Sequence, residues 1–356
     1  MNVLNRMILE DYKKNRDSFL KLEQVVDEML QNIVKLSGIK EIMGIEHRVK
    51  SEQSLAGKLE RRGDYYHRFE ELTDILGARI ICYFSDEVDM LGKLVEKSFL
   101  IDWENSTDKR AQMQVDSFGY LSLHYICSLP EDGSYPTELC GKKFEIQIRT
   151  VLQHAWAAIE HDIGYKSDFG VPRVITREFS RLAGLFELAD DEFVRLRDNM
   201  NRYTEDIRRK IIDNEAEDVR IDMVSIREYV FHNRKMQEFI AEIAEVAGAD
   251  IDDVDPNGYI EQLQFLGKTT IGDLQRMMTE NRDLALKLAE RTLAGVELDL
   301  VSSSVGLRFL CRAELLNKSY SKEQILDFIT LTVKNPKSAG RQMEHLLKVY
   351  EECKGE

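Results

Sequence analysis

Apolar residues recur at helical spacing from the start of the chain. Leu4, Ile8, Leu20, Leu22, Val26, Leu30 and Ile33 predict a helix over 4–36, which Gly38 and Gly44 end. A second helix is expected over 51–62. The apolar run 78–84 reads as a buried strand, 87–98 as a helix, 99–104 as a short strand and 105–118 as a polar loop. Strands follow over 120–129 and 143–149, then a helix over 150–164 carrying Leu152, Trp156, Ile159 and Ile163. The 144–149 segment alternates with period two. Phe144, Ile146 and Ile148 share one face, and Glu145, Gln147 and Arg149 the other. A carboxylate, an amide and a guanidinium in one row suit a metal ion and an anionic ligand better than plain solvent.

The texture changes after Val174. Helical spacing dominates 176–212, 223–247, 270–295, 303–316 and 320–353, with Gly248, Pro256-Asn257-Gly258, Gly267 and Pro336 as stops. Three of the five prolines, Pro130, Pro136 and Pro172, fall before this change, in the region of strands and loops. The expected fold class is therefore α+β: a mixed sheet flanked by helices, followed by an all-helical C-terminal region. The expected division is an N-terminal helical segment 1–45, a mixed domain 46–175 and a helical region 176–356.

Composition narrows the class. The 356 residues are 43% hydrophobic, enough for a sizeable core, yet no apolar run is long enough for a membrane span. The first residues carry no signal-peptide core. Five cysteines, an odd number without a Cys-x-x-Cys pair, fit a reduced cytoplasmic protein without a zinc site. A net charge of −15 argues against coating nucleic acid. Local charge tells a different story. Arg48, Lys50, Lys58, Arg61, Arg62 and Arg68 form a basic island against only Glu52, Glu60 and Asp64.

Four constellations carry chemistry. Lys50, Ser54 and Lys58 fall at i, i+4 and i+8, on one face of a helix, with Arg48 just before its positive end. This suits a phosphate chain; taken alone it is also what a solvated basic face looks like. Thr73-Asp74-Ile75-Leu76-Gly77-Ala78-Arg79 places an acid at a strand start, where it can hold Mg²⁺; it also reads as a capped turn. In Gly119-Tyr120-Leu121-Ser122-Leu123-His124, period two puts Tyr120, Ser122 and His124 together. They form a surface for a base and a ribose, or an ordinary polar edge. Glu145 is a candidate second metal ligand or general base, with Gln147 and Arg149 beside it as candidates to position an acceptor. His154, His161 and Trp156 also have structural readings as helix-face histidines and a core anchor.

Taken in order, the blocks Arg48-x-Lys50, Asp74-x-x-Gly77-x-Arg79, Gly119-Tyr120-x-Ser122-x-His124 and Glu145-x-Gln147-x-Arg149-Thr150 resemble the synthetase domain of RelA/SpoT-type alarmone, or (p)ppGpp, synthetases. Glu160-His161 and Tyr165-Lys166 match the closing motifs. The resemblance spans 48–166. It implies a nucleotidyltransferase-like mixed sheet and transfer of the β,γ-pyrophosphate of ATP to the ribose 3′-hydroxyl of GDP or GTP. It implies Mg²⁺ on Asp74 and Glu145, and ATP on Arg48, Lys50, Ser54, Lys58 and Arg79. On the acceptor side it implies Tyr120, His124, Gln147, Arg149 and His154.

Only some 45 residues precede Arg48, so the hydrolase domain of the bifunctional members is not expected. Thr107-Asp108-Lys109-Arg110 departs from the Arg-x-Lys-Asp motif of the long enzymes, which leaves the acceptor and the metal preference open. The expected partners are ATP and GDP or GTP, with self-association through the helical regions and a tRNA acceptor left open, and no membrane. Rival readings are transfer to an adenine nucleotide or a tRNA 3′ end, and a non-catalytic nucleotide-sensing module.

Overall fold

The computed structural model describes residues 3–62, 65–108, 122–165, 172–333 and 335–354. It divides into two compact units, Met1–Arg197 and Asp198–Glu356.

The first unit is built on a six-stranded mixed sheet. Helix α1 (Val3–Ser37) leads into β1 (Gly44–Val49), α2 (Glu52–Arg62), β2 (Leu76–Cys82), α3 (Ser85–Ser98), and the short β3 (Leu100–Ile101) and β4 (Thr107–Asp108). Then come β5 (Leu123–Ser128), β6 (Phe144–Thr150), α4 (Val151–Tyr165) and α5 (Arg173–Ile212), the last continuing past the unit boundary. The strand order is β1-β2-β6-β5-β3, with β4 also pairing β5. The central pair β2/β6 is parallel, and β1, β5, β3 and β4 join antiparallel.

Period-two alternation divides this sheet into two different faces. Ala78 and Ile80 of β2 and Phe144, Ile146 and Ile148 of β6 are fully buried in one core. Helix α1 contributes Leu22, Val26 and Leu30 to that core, and α3 contributes Val88, Leu91 and Val95. Helix α3 lies unusually close: a Cβ on Gly92 would sit 2.8 Å from the Leu123 side chain of β5. The alternate residues Gly77, Arg79, Glu145 and Gln147 are left half-buried on the opposite face, with the buried Arg149 and Ile81 at its far end.

Two expectations near the N-terminus are corrected. Residues 44–49 form an edge strand, so Arg48 lies on β1 rather than in a lead-in to a helix. Helix α2 begins at Glu52, so Lys50 is not part of its face; it sits in the short link between β1 and α2. The alternation Ile45, His47, Val49 was too short and too polar to stand out.

The second unit is helical, with its own core. It comprises the end of α5, α6 (Met223–His232), α7 (Arg234–Ala247), α8 (Ile260–Phe265), α9 (Ile271–Leu293), α10 (Val305–Asn317), α11 (Lys322–Thr330) and α12 (Pro336–Lys354). Phe239, Leu274, Leu288, Phe309, Leu310 and Phe328 are among its buried residues. Where one helix was expected over 223–247, Asn233 ends α6 and caps α7, its side chain accepting from the Met236 amide. The expected 320–353 helix is likewise two, separated before Pro336. A two-stranded parallel ladder, β7 (Asp250–Asp252) with β8 (Leu300–Ser302), was not foreseen; three-residue strands carry too little periodicity to read. Among the described residues, no helix is long and apolar enough to cross a membrane.

Candidate active site

Strand register assembles the site before any side chain is considered. Across the polar face, Arg48 lies opposite Gly77, which lies opposite Glu145. One step along, Glu46, Arg79, Gln147 and His124 form a second row over four strands. Residues distant in sequence thus become neighbours because sheet pairing fixes their positions.

Asp74 lies just before β2 and receives two ammonium groups. Lys50 Nζ is 2.5 Å from its Oδ2, and Lys58 Nζ, from the second turn of α2, is 2.8 Å from its Oδ1. The backbone of Lys50 is pinned on both sides: its amide donates to the Ile75 carbonyl at 2.8 Å, and its carbonyl accepts from the buried Tyr12 hydroxyl at 2.6 Å. Tyr12 supports the site from behind, and the sequence gives no means of finding it, since on α1 it reads as core. Burial opposes ionisation of Asp74, but the two lysines outweigh it and hold the carboxyl below its usual range. Burial lowers Lys50 despite Asp74, whereas for Lys58 the bond to Asp74 overcomes burial and raises it.

Glu145 is held by a second network. His124 Nδ1 lies 2.8 Å from its Oε1, and Gln147 Nε2 donates to its Oε2 at 2.9 Å. Gln147 Oε1 accepts in turn from Arg79 Nε at 3.1 Å and from Arg149. Burial pushes the Glu145 carboxyl up, but the bonds from His124 and Gln147 prevail and hold it low. Both carboxylates are therefore anions at neutral pH.

A cavity of about 370 Å³ opens between these networks. Glu46, His47, Arg48, Lys50, Asp74, Gly77, Arg79, Glu145 and Gln147 line it. A Cβ at Gly77 would meet no protein atom within 4 Å, so the glycine leaves this wall clear for a ligand. A more open groove of about 860 Å³ shares Arg48, Lys50 and Asp74 and runs along α2 past Ser54, Gly57, Lys58, Arg61 and Arg62. Its cations, with the positive end of α2, make a natural bed for a polyphosphate.

The expected residues are therefore mostly brought together. Ser54 and Lys58 lie on the groove, while His124 and Arg149 stand behind Glu145 and Gln147. His154, in the first turns of α4, is held below the ordinary imidazole value by burial and by Arg149 and Arg79. Its Nδ1 is buried without a hydrogen-bond partner among the described residues. Trp156 is a core anchor, 5% exposed, donating to the Phe179 carbonyl. Tyr120 lies outside the described residues, and so does the side chain of His161. Glu46 and His47 were not foreseen as cavity residues, because the strand that presents them was not.

A mixed sheet carrying two ionised carboxylates among converging lysines and arginines makes a site suited to a phosphate-bearing ligand. Residues 47–169 match the family model described as the region found in RelA / SpoT proteins. The chain is 34% identical over 157 residues to GTP pyrophosphokinase YwaC of Bacillus subtilis (strain 168), covering 42% of this chain and 72% of that protein. It is 29% identical over 191 residues to GTP pyrophosphokinase YjbM of the same organism, covering 49% and 84%. Among solved structures, the small alarmone synthetase 1 from Bacillus subtilis bound to its product pppGpp aligns at 25% identity and a TM-score of 0.45, over 53% of this chain and 98% of that one. The chain belongs to the RelA/SpoT family.

Proposed function

We propose that this protein is a GTP pyrophosphokinase: residues 46–175 transfer the β,γ-pyrophosphate of ATP to the ribose 3′-hydroxyl of GDP or GTP, making (p)ppGpp and releasing AMP. The observation that carries the reading is the cavity in which Asp74, held by Lys50 and Lys58, shares a wall with Glu145. Family membership and two relatives named GTP pyrophosphokinase support it.

In this reading Arg48, Lys50, Ser54, Lys58 and Arg79 bind ATP, its phosphates lying along α2. Tyr120, His124, Gln147, Arg149 and His154 hold the acceptor. Glu145, ionised and oriented by His124 and Gln147, takes the proton from the 3′-hydroxyl. Phosphoryl transfer needs alignment and charge neutralisation more than covalent chemistry, and that is what a lysine-rich groove against a rigid sheet supplies.

Asp74 and Glu145 fit a divalent cation: both are ionised oxygen donors on one cavity. No cluster of three or more His, Cys, Asp or Glu arranged for a metal occurs among the described residues. Two carboxylates completed by substrate oxygens is the arrangement Mg²⁺ favours. Bound there, Mg²⁺ supplies neutralisation of phosphate charge.

Cytoplasmic location and self-association through the helical regions belong to the same proposal. Exposed Leu182, Leu185, Leu188 and Leu196 on α5 support the latter. The test incubates the protein with Mg²⁺ and γ-labelled ATP, offering GDP, GTP, ADP and tRNA in turn. Label on GDP or GTP is the expected result. Label only on ADP or tRNA replaces the acceptor, and label on none overturns the enzyme.

A further inference from the structure

Helix α5 reaches the site's framework at a buried point that the chemistry above does not use. Asp190, on α5, is 3% exposed, and its Oδ2 accepts the Thr150 hydroxyl at 2.8 Å. Its Oδ1 has no hydrogen-bond partner among the described residues. A buried carboxylate with half its capacity unused costs stability, so packing gives no reason for it.

Thr150 occupies the hinge of the acceptor side. It is the last residue of β6, directly after Arg149, and it caps α4. Its Oγ1 accepts from the Gln153 amide at 3.1 Å, and its own amide donates to Gln153 Oε1 at 3.0 Å. This is a reciprocal cap, and His154 follows it by one residue. A threonine hydroxyl has a single proton. Given to Asp190, that proton leaves an oxygen lone pair aimed at Gln153.

We propose that Asp190 is a positioning residue for the transfer: through Thr150 it fixes the β6–α4 junction and so the placement of Arg149 and His154 against the acceptor nucleotide. The inference rests on the functional reading above. Misplacement of a binding group by about an ångström costs up to about a hundredfold in rate, so one hydroxyl rotor is enough to matter.

The charge state of Asp190 is adjustable in a useful range. Burial, opposed by the Thr150 bond and aided by Asp191, pushes its carboxyl up to about 6. Cys82 of β2 lies within electrostatic reach of Asp190, and Asp86 and Glu87 of α3 act on that same thiol; Arg197, further along α5, is tied to Asp86 at 2.7 Å. Once protonated, the carboxyl both donates to Thr150 Oγ1 and accepts from it, so the hydroxyl is no longer held to the single orientation that serves the Gln153 amide. Acceptor binding should therefore weaken as pH falls below about 6.

The test measures KM for ATP and for the acceptor separately, across pH. Asp190→Ala and Thr150→Val should each raise the acceptor KM about tenfold, with the ATP KM moved less than about twofold. The double variant should be no worse than either single one. Asp190→Asn, which like the protonated acid both donates and accepts, should show the wild type's raised low-pH acceptor KM at every pH. An active wild-type protein whose Asp190→Ala variant keeps the acceptor KM, or loses both KM values equally, overturns this inference alone. A wild-type protein that transfers label to no acceptor overturns the functional reading and this inference with it.

Discussion

At the scale of single residues, the site is a balance of charges. Asp74 offers one oxygen to each of two lysines, so its loss strands two cations that are largely shielded from water. Asp74→Asn should abolish transfer and also destabilise the protein by about 1–3 kcal/mol at neutral pH, read by denaturant titration. Glu145→Gln should lose at least about a hundredfold in transfer rate with the fold intact, read by single-turnover label transfer; retained rates in both variants would sink the assignment of these carboxylates. Tyr12→Phe removes only the hydroxyl that anchors the Lys50 carbonyl. It should cost about 1 kcal/mol of stability and raise the ATP KM more than the acceptor KM. Asp190 sets a pH dependence of the opposite kind. Its folded carboxyl is raised to about 6, so the native state holds the proton more tightly than the unfolded chain does. Stability therefore falls as pH rises from about 4 to about 6 and is level beyond. Asp190→Asn should be more stable than the wild type at pH 7.5, by up to about 3 kcal/mol, with the gap closing below about pH 4. A gap that is independent of pH would remove Asp190 as the source.

At the scale of elements, helix placement behind the sheet controls the geometry in front of it. Helix α3 can press onto β5 because position 92 has no side chain. Gly92→Ala would bring a methyl group 2.8 Å from Leu123, and should cost about 1–3 kcal/mol, measured by thermal melting. A neutral effect would show that α3 shifts freely. Much of this framework was legible: α1, α3, the alternating β6 and the α4 that follows it all announce themselves by period. Strand β1 did not, being six residues with a polar pattern, and with it went the true places of Arg48 and Lys50. The Asn233 break was hidden as well, because apolar spacing carries on across it from α6 to α7.

At the scale of the whole molecule, each unit has its own hydrophobic core. Phe328→Ala, deep in the second, should raise hydrogen exchange within 198–356 while β2 and β6 keep their protection; equal loss in both would join the two cores energetically. The net charge of −15 belongs to this scale too. With a free nucleotide as acceptor, transfer should depend only shallowly on salt, whereas a tRNA acceptor would give a steep decline.

The sequence by itself determined the family. Four short blocks, in order, marked out candidate carboxylates, candidate cations and the strand that carries Glu145, because reactive residue types and period two are local properties. Tertiary structure alone decided which groups meet. Lys50 and Lys58 share Asp74, Tyr12 anchors Lys50, and Asp190 reaches Thr150 across 40 positions of chain. Those pairings depend on strand register and helix packing, which sum weak contacts over the whole unit and leave no trace in any one window of sequence.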